Sequence, residues 1–342
     1  MARLQVGASW VALLFISVAI LSVPAAAARS IGDVKDLSQL TQLKIKSTAA
    51  LVIDLDTNTT LFERDADVVR PIASISKIFG ALVIAEDCKL DADALHEMSP
   101  SNRDAAKGGD KTKLTTGWSY SHKDLLHAAL MRSDNRALPA LAESCGLDPA
   151  SLAAKMTERA RRMGLTKTFF KEPDGLSAEN VSTAREVMVA LKESMKNSVL
   201  TEIMAKPEYV IVAHKGDRTR DIKIKNTDRL LSKNIAQILA GKTGYTDIAR
   251  YCLAVAAKTF EGRQLGMVFL GAEGKHTRFA DFTRVIKWLT SNEAIAAASK
   301  APTSPLSQPA ENGSAAASGA VGKKDSAQIP MKPEEAGSVE VE

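Results

Sequence analysis

Ala49-Ala50-Leu51-Val52-Ile53-Asp54-Leu55-Asp56 is a short apolar run that ends on two carboxylates, and its reading decides the fold. Aliphatic and β-branched residues in a run this short suit a strand. Asp56-Thr57-Asn58 supplies a turn, and Thr60-Leu61-Phe62-Glu63 reads as the returning arm of a hairpin. Further strand-like runs lie far away, at 209–213, 238–245, 251–257 and 265–271. The stretches between are helical in period, at 74–86, 121–131, 135–143, 151–163 and 183–196, and a last helix is expected at 276–289. Strands at both ends and helices in the middle imply an α+β fold. A mostly antiparallel sheet is formed by the two ends, with a helical lobe inserted at about 88–200.

Working outward, the termini differ from this body. Arg3 precedes an uncharged apolar stretch, then Pro24 and Ala25-Ala26-Ala27-Ala28, which fits a signal peptide over 1–28 with cleavage before Arg29. An uncleaved anchor is the rival; the alanine run and Pro24 favour cleavage, so the chain is expected in the periplasm without a stable membrane anchor. Residues 29–48 read as a leader and 49–290 as the catalytic domain. The Ala/Ser/Pro-rich residues 291–342 read as a disordered tail.

The chain is 342 residues with a formal charge of +5, spread along its length, which reads first as a solubilising surface. Nucleic-acid motifs are absent, so no nucleic-acid partner is expected. Cys88, Cys145 and Cys252 allow at most one disulfide. Cys252 lies in an apolar run and reads as a buried small hydrophobe, whereas Cys88 and Cys145 each follow a helical segment and could pair. Without a CxxC or His/Cys cluster, neither a metal nor any other cofactor is expected.

Three short motifs carry chemistry. Ser74-Ile75-Ser76-Lys77 puts a hydroxyl and an amine one helical turn apart, and a desolvated lysine can deprotonate a serine. The spacing alone is weak, since SxxK arises by chance about once in a chain this long. Ser133-Asp134-Asn135 falls between two helices, where Ser133 could relay a proton and Asn135 hold a substrate carbonyl, although both residue types also cap helices. Lys242-Thr243-Gly244 interrupts an apolar strand, where Lys242 and Thr243 could bind an anionic group and Gly244 leave room for a substrate strand.

In this order and spacing, Ser74, Ser133 and Lys242 resemble the S-x-x-K, S-D-N and K-T-G set of the serine penicillin-recognising enzymes. The likeness extends over about 49–289, through Pro71-Ile72-Ala73-Ser74, Asp174-Gly175-Leu176-Ser177, Val181-Ser182-Thr183-Ala184 and Lys242-Thr243-Gly244-Tyr245-Thr246. These stretches are similar to the D-alanyl-D-alanine endopeptidases of the penicillin-binding protein 7/8 group. The resemblance implies a five-stranded antiparallel sheet flanked by helices, with an inserted all-helical subdomain and the cleft between them. It implies cleavage of D-alanyl bonds in peptidoglycan peptide stems through an acyl-enzyme, and covalent inhibition by β-lactams.

Carried across, the resemblance makes Ser74 the nucleophile, Lys77 its base and Ser133 the proton relay. Asn135, Lys242 and Thr243 then bind substrate, and the backbone N–H groups of Ser74 and Tyr245 form the oxyanion hole. Ala249-Arg250-Tyr251-Cys252 departs from the usual small residue after this segment, and Arg250 is expected to face solvent. Glu172 raises a β-lactamase alternative, a carboxypeptidase uses the same mechanism, and a non-catalytic wall-binding module would not need this residue set. The sequence is silent on oligomeric state.

Overall fold

The computed structural model describes residues 43–88, 90–109 and 112–290. The signal-peptide and tail assignments and the leader up to residue 42 lie outside these residues. In chain order the elements are β1 (Ala49–Asp54), β2 (Thr60–Arg64), β3 (Arg70–Pro71), α1 (Ser76–Asp87), β4 (Leu95–Glu97), α2 (Pro100–Ala105), β5 (Ser119–Ser121), α3 (His122–His127), α4 (Ala137–Ser144) and α5 (Pro149–Arg162). They continue with β6 (Val181–Ser182), α6 (Ala184–Met195), α7 (Ser198–Ala205), β7 (Glu208–Lys215), β8 (Arg218–Lys225), β9 (Gln237–Thr246), β10 (Arg250–Lys258), β11 (Gln264–Ala272) and α8 (Thr277–Thr290).

The main sheet runs β2-β1-β11-β10-β9, with every neighbouring pair antiparallel. β1 joins the two chain ends, pairing with β11 from Ala49 opposite Leu270 to Asp54 opposite Leu265. All of its residues are buried because both sheet faces are covered. Ala50 and Val52 pack with Phe279, Phe282 and Ile286 of α8, while Ala49, Leu51 and Ile53 join the larger core with α1 and α6. Successive side chains thus enter opposite cores, which accounts for an unbroken apolar run.

The insertion is mainly helical, but it also carries β4 and β5, which pair with the β7–β8 hairpin in a second sheet ordered β4-β5-β7-β8. The strand expected at 209–213 therefore belongs to this sheet and not to the main one. Helix α1 is buried from Ser76 to Ile84 and crosses the core of the insertion. It approaches α4 at Gly80, where a β-carbon would sit 2.6 Å from Leu138 Cδ1. The C-terminal ends of these two helices are joined by a disulfide between Cys88 and Cys145, whose Cα atoms are 5.7 Å apart. Cys252 is buried and unpaired.

Candidate active site

Ser74 sits in a single 3-10 turn, Ala73–Ile75, at the entrance to α1. The turn is wedged between two backbones. A β-carbon at Gly175 would meet Ala73 O at 2.1 Å and Ser74 N at 2.7 Å, and one at Gly244 would meet Ile72 O at 2.9 Å and Ser74 N at 3.1 Å. Both glycines are needed so that the loop at 174–177 and strand β9 can close on the Ser74 backbone. Ala73 adopts φ 48°, a left-handed conformation that costs energy for a residue with a side chain and persists only where its surroundings enforce it.

One turn into α1, Lys77 is fully buried with its amine 3.1 Å from Ser74 Oγ. The same nitrogen donates to Asp174 O at 2.5 Å and to Asn135 Oδ1 at 2.7 Å. Burial pushes Lys77 below the ordinary lysine value, against the opposing pull of Asp174, Glu172 and Asp134. Asp174 Oδ1 lies 3.6 Å from the Lys77 amine, yet neither carboxyl oxygen has a hydrogen-bond partner among the described residues. Burial raises Asp174 well above the usual carboxylate range, with Lys77 opposing. The separation admits an ion pair, while desolvation disfavours the charged form of both groups and Coulomb attraction between them opposes that effect.

Asp174 is held by Glu172, whose carboxylate accepts from the backbone N–H groups of Asp174, Gly175, Leu176 and Ser177 at 2.6 to 3.1 Å. A carboxylate so engaged shapes the loop and is not poised to activate water, which removes the motive for the β-lactamase alternative.

A π-helical turn, Ala128–Arg132, ends at Ser133, which takes a left-handed φ of 62°. Asp134 fixes this turn by accepting from Arg136 N at 3.0 Å and Lys113 N at 3.2 Å. Ser133 and Asn135 consequently face the cleft from one side of the insertion. Gly109 gives Asn135 its space, since a β-carbon there would lie 2.0 Å from Asn135 Nδ2.

From β9, the Lys242 amine donates to Ser133 Oγ at 2.9 Å, and Thr243 Oγ1 donates to Thr227 Oγ1 at 2.6 Å. Lys242 is buried, and desolvation lowers it well below an ordinary lysine, reinforced by Lys77 and Arg278. The structure therefore brings Ser74, Lys77, Ser133, Asn135, Lys242 and Thr243 into one constellation. Tyr245 lines the same cleft, its side chain 45% exposed, stacked on Tyr251 and donating its hydroxyl to Asp247. Arg250 is exposed.

Three buried groups were not singled out as site residues from the sequence. Arg278, 6% exposed, donates to Gly244 O at 2.6 Å and Cys252 O at 3.1 Å and lies 5.1 Å from the Tyr251 ring centre. Burial lowers it to about 10. Asp228, also buried, is raised to about 6, and Asp174 is the third. A signal existed for Arg278, which shares the buried stripe of α8 with Phe282 and Ile286, where a charge is out of place. No group of His, Cys, Asp and Glu suited to a metal ion occurs among the described residues.

The family model for D-alanyl-D-alanine carboxypeptidase matches residues 36–274, a span that contains every motif of this site. The chain belongs to that family. This D-alanyl-D-alanine peptidase is 35% identical to a D-alanyl-D-alanine endopeptidase of Pseudomonas aeruginosa, over 76% of this chain and 83% of the relative. A D-alanyl-D-alanine endopeptidase of Escherichia coli is 32% identical over 74% and 80%. The carboxypeptidase DacF of Bacillus subtilis is 28% identical over 75% and 65%. Among solved structures, the Streptomyces K15 DD-transpeptidase superposes with a TM-score of 0.68 at 26% identity, covering 74% of the peptidase and 98% of that chain. The peptidase is thus a serine DD-peptidase of the penicillin-binding fold.

Proposed function

We propose that the enzyme is an exported DD-endopeptidase that hydrolyses D-alanyl cross-links of peptidoglycan through an acyl-enzyme on Ser74. The observation that carries the reading is the buried Lys77 amine 3.1 Å from Ser74 Oγ. A neutral amine has two N–H bonds, and Asp174 O and Asn135 Oδ1 accept both. The remaining tetrahedral position is the lone pair, and it faces the hydroxyl. Ser74 gives its proton to Lys77 as its oxygen attacks the D-alanyl carbonyl.

The developing oxyanion is received by the Ser74 and Tyr245 backbone N–H groups, a reading supported by the close approach of Gly244, the neighbour of Tyr245, to the Ser74 backbone. Ser133 accepts from Lys242, so its own hydroxyl proton is free to pass to the leaving amine. Asn135 orients the substrate amide, and Lys242 with Thr243 binds the carboxylate beside the scissile bond; that carboxylate restores the charge that burial takes from Lys242. Water then releases the acyl group.

Preference for cross-links rather than terminal D-alanine is supported by the endopeptidase names of the relatives at 35% and 32% identity, although a third, at 31%, is named a carboxypeptidase. The family's carboxypeptidase description supports trimming as the second reading. Intact-mass spectrometry with benzylpenicillin tests the nucleophile. One penicilloyl adduct is expected on the wild type and none on Ser74→Ala. An adduct that survives in Ser74→Ala would refute it, and digestion of cross-linked against uncross-linked muropeptides separates the two readings.

A further inference from the structure

The cleft that contains Ser74 has a basic rim that the reaction does not use. In β8 the alternation buries Ile222 and Ile224, so Lys223 and Lys225 project from the opposite face into solvent at the cleft wall. Arg132, just before Ser133, Arg229, just after Asp228, and Lys275, just before α8, line the same cleft. None of these cations has an ion-pair partner among the described residues. Some arginines elsewhere are paired, among them Arg159 with Glu86 and Glu193, Arg185 with Glu63 and Asp67, and Arg284 with Asp281.

The acidic residues of the cleft wall offset the rim only in part, since five cations face two surface carboxylates, Glu208 and Asp247. Asp228 is buried beneath it, and Asp247 is engaged by the Tyr245 hydroxyl. Glu208 stands opposite Lys225 in register without forming an ion pair. A cleft whose wall carries an excess of unpaired positive charge concentrates its field on whatever enters. Because a single exposed ion pair contributes little, the occupant that profits must offer several anionic groups together. A peptide with repeated carboxylates meets that requirement.

We propose that this rim is a carboxylate-recognition subsite, by which the enzyme selects peptide stems with free carboxylates over stems whose carboxylates are amidated. The inference rests on the cross-link reading. Amidation removes the charge while keeping the length and backbone of the stem, so the rim distinguishes the two by charge alone.

The experiment compares kcat/KM for a cross-linked muropeptide carrying free carboxylates with that for its amidated counterpart, using the mature chain. Wild type is expected to favour the free acid by about tenfold, the effect of a few exposed ion pairs acting together. The preference should collapse at about 1 M salt, where charges are screened beyond roughly 3 Å. It should also collapse in the combined Lys223→Gln, Lys225→Gln, Arg229→Gln variant, with melting behaviour reporting its fold. If that variant does not fold, the salt series on the wild type still decides the matter. Equal rates on the two substrates at low salt would overturn the proposal, as would a preference that persists in a folded variant. Equal rates together with retention on a peptide-free anionic wall polymer would assign the rim to polymer binding instead. Failure of the wild type to cleave either substrate, despite forming the penicilloyl adduct, would remove the cross-link reading and this inference with it.

Discussion

At Lys77 a lysine with no access to water sits between a serine hydroxyl and two carbonyl acceptors. Its amine is lowered by burial, so it is neutral at a pH where an exposed lysine is charged. The acylation rate should fall as pH drops through this lowered value and level off before pH reaches the ordinary lysine value. A stopped-flow pH series with a chromogenic β-lactam checks this; a rate still climbing through the ordinary value would remove Lys77 as the base. Lys77→Arg should lose activity by about a hundredfold or more, since a guanidinium keeps its proton. The same shift makes stability rise with pH between the lowered value and the ordinary one, because there the unfolded chain binds the extra proton. Ser74, Lys77, Asn135 and Lys242 could be singled out because three motifs, each weak alone, together resemble one known set. Asp174 and Arg278 were less legible, because what makes them unusual is burial created by elements distant in sequence.

Among the elements, α1 and α4 carry the two halves of the site at their N-terminal ends and the disulfide at their C-terminal ends. Ser74 and Lys77 open α1, Asn135 precedes α4, and Cys88 and Cys145 follow the two helices. Between these points Leu138 packs directly on Gly80. The close packing sets the spacing of the helices, so the disulfide adds stability rather than geometry. With the cysteines 57 positions apart in sequence, removing it should cost about 4 kcal/mol by loop entropy. Cys88→Ser with Cys145→Ser should accordingly melt at lower temperature while its folded fraction acylates at the wild-type rate. A slowed rate well below the melting transition would show that the bond positions the site. The helices themselves were legible from their apolar content, but β8 was not: Arg218-Thr219-Arg220-Asp221 offers no apolar alternation, and only pairing with β7 makes it a strand.

At the scale of the whole molecule, the sheet is closed by strands from opposite ends of the chain, and this much was legible because apolar runs stood at both ends with helices between. The second sheet was hidden, since β4 and β5 are three residues each and β5 gains its partner β7 only through the tertiary fold. Closure of the main sheet is reinforced at one buried carboxylate. Asp281 of α8 accepts from Lys46 N at 2.9 Å, Ser47 N at 2.8 Å and Ser47 Oγ at 2.6 Å, and pairs with Arg284. It thereby ties the segment entering β1 to the helix that covers the β1–β11 seam. Asp281→Ala leaves those buried donors without an acceptor and should destabilise the protein by roughly 3 kcal/mol. Because β1 and β11 share both cores, the loss should appear as one cooperative transition at lower denaturant concentration, monitored by circular dichroism. The reacting groups Ser74, Lys77 and Ser133 lie on other elements, so penicillin acylation of the folded variant should keep its wild-type rate as long as Arg278 of the same helix still holds the Gly244 carbonyl. Two separate transitions would mean that the sheet and the insertion fold independently, and that closing the chain ends does not hold the molecule together as a unit.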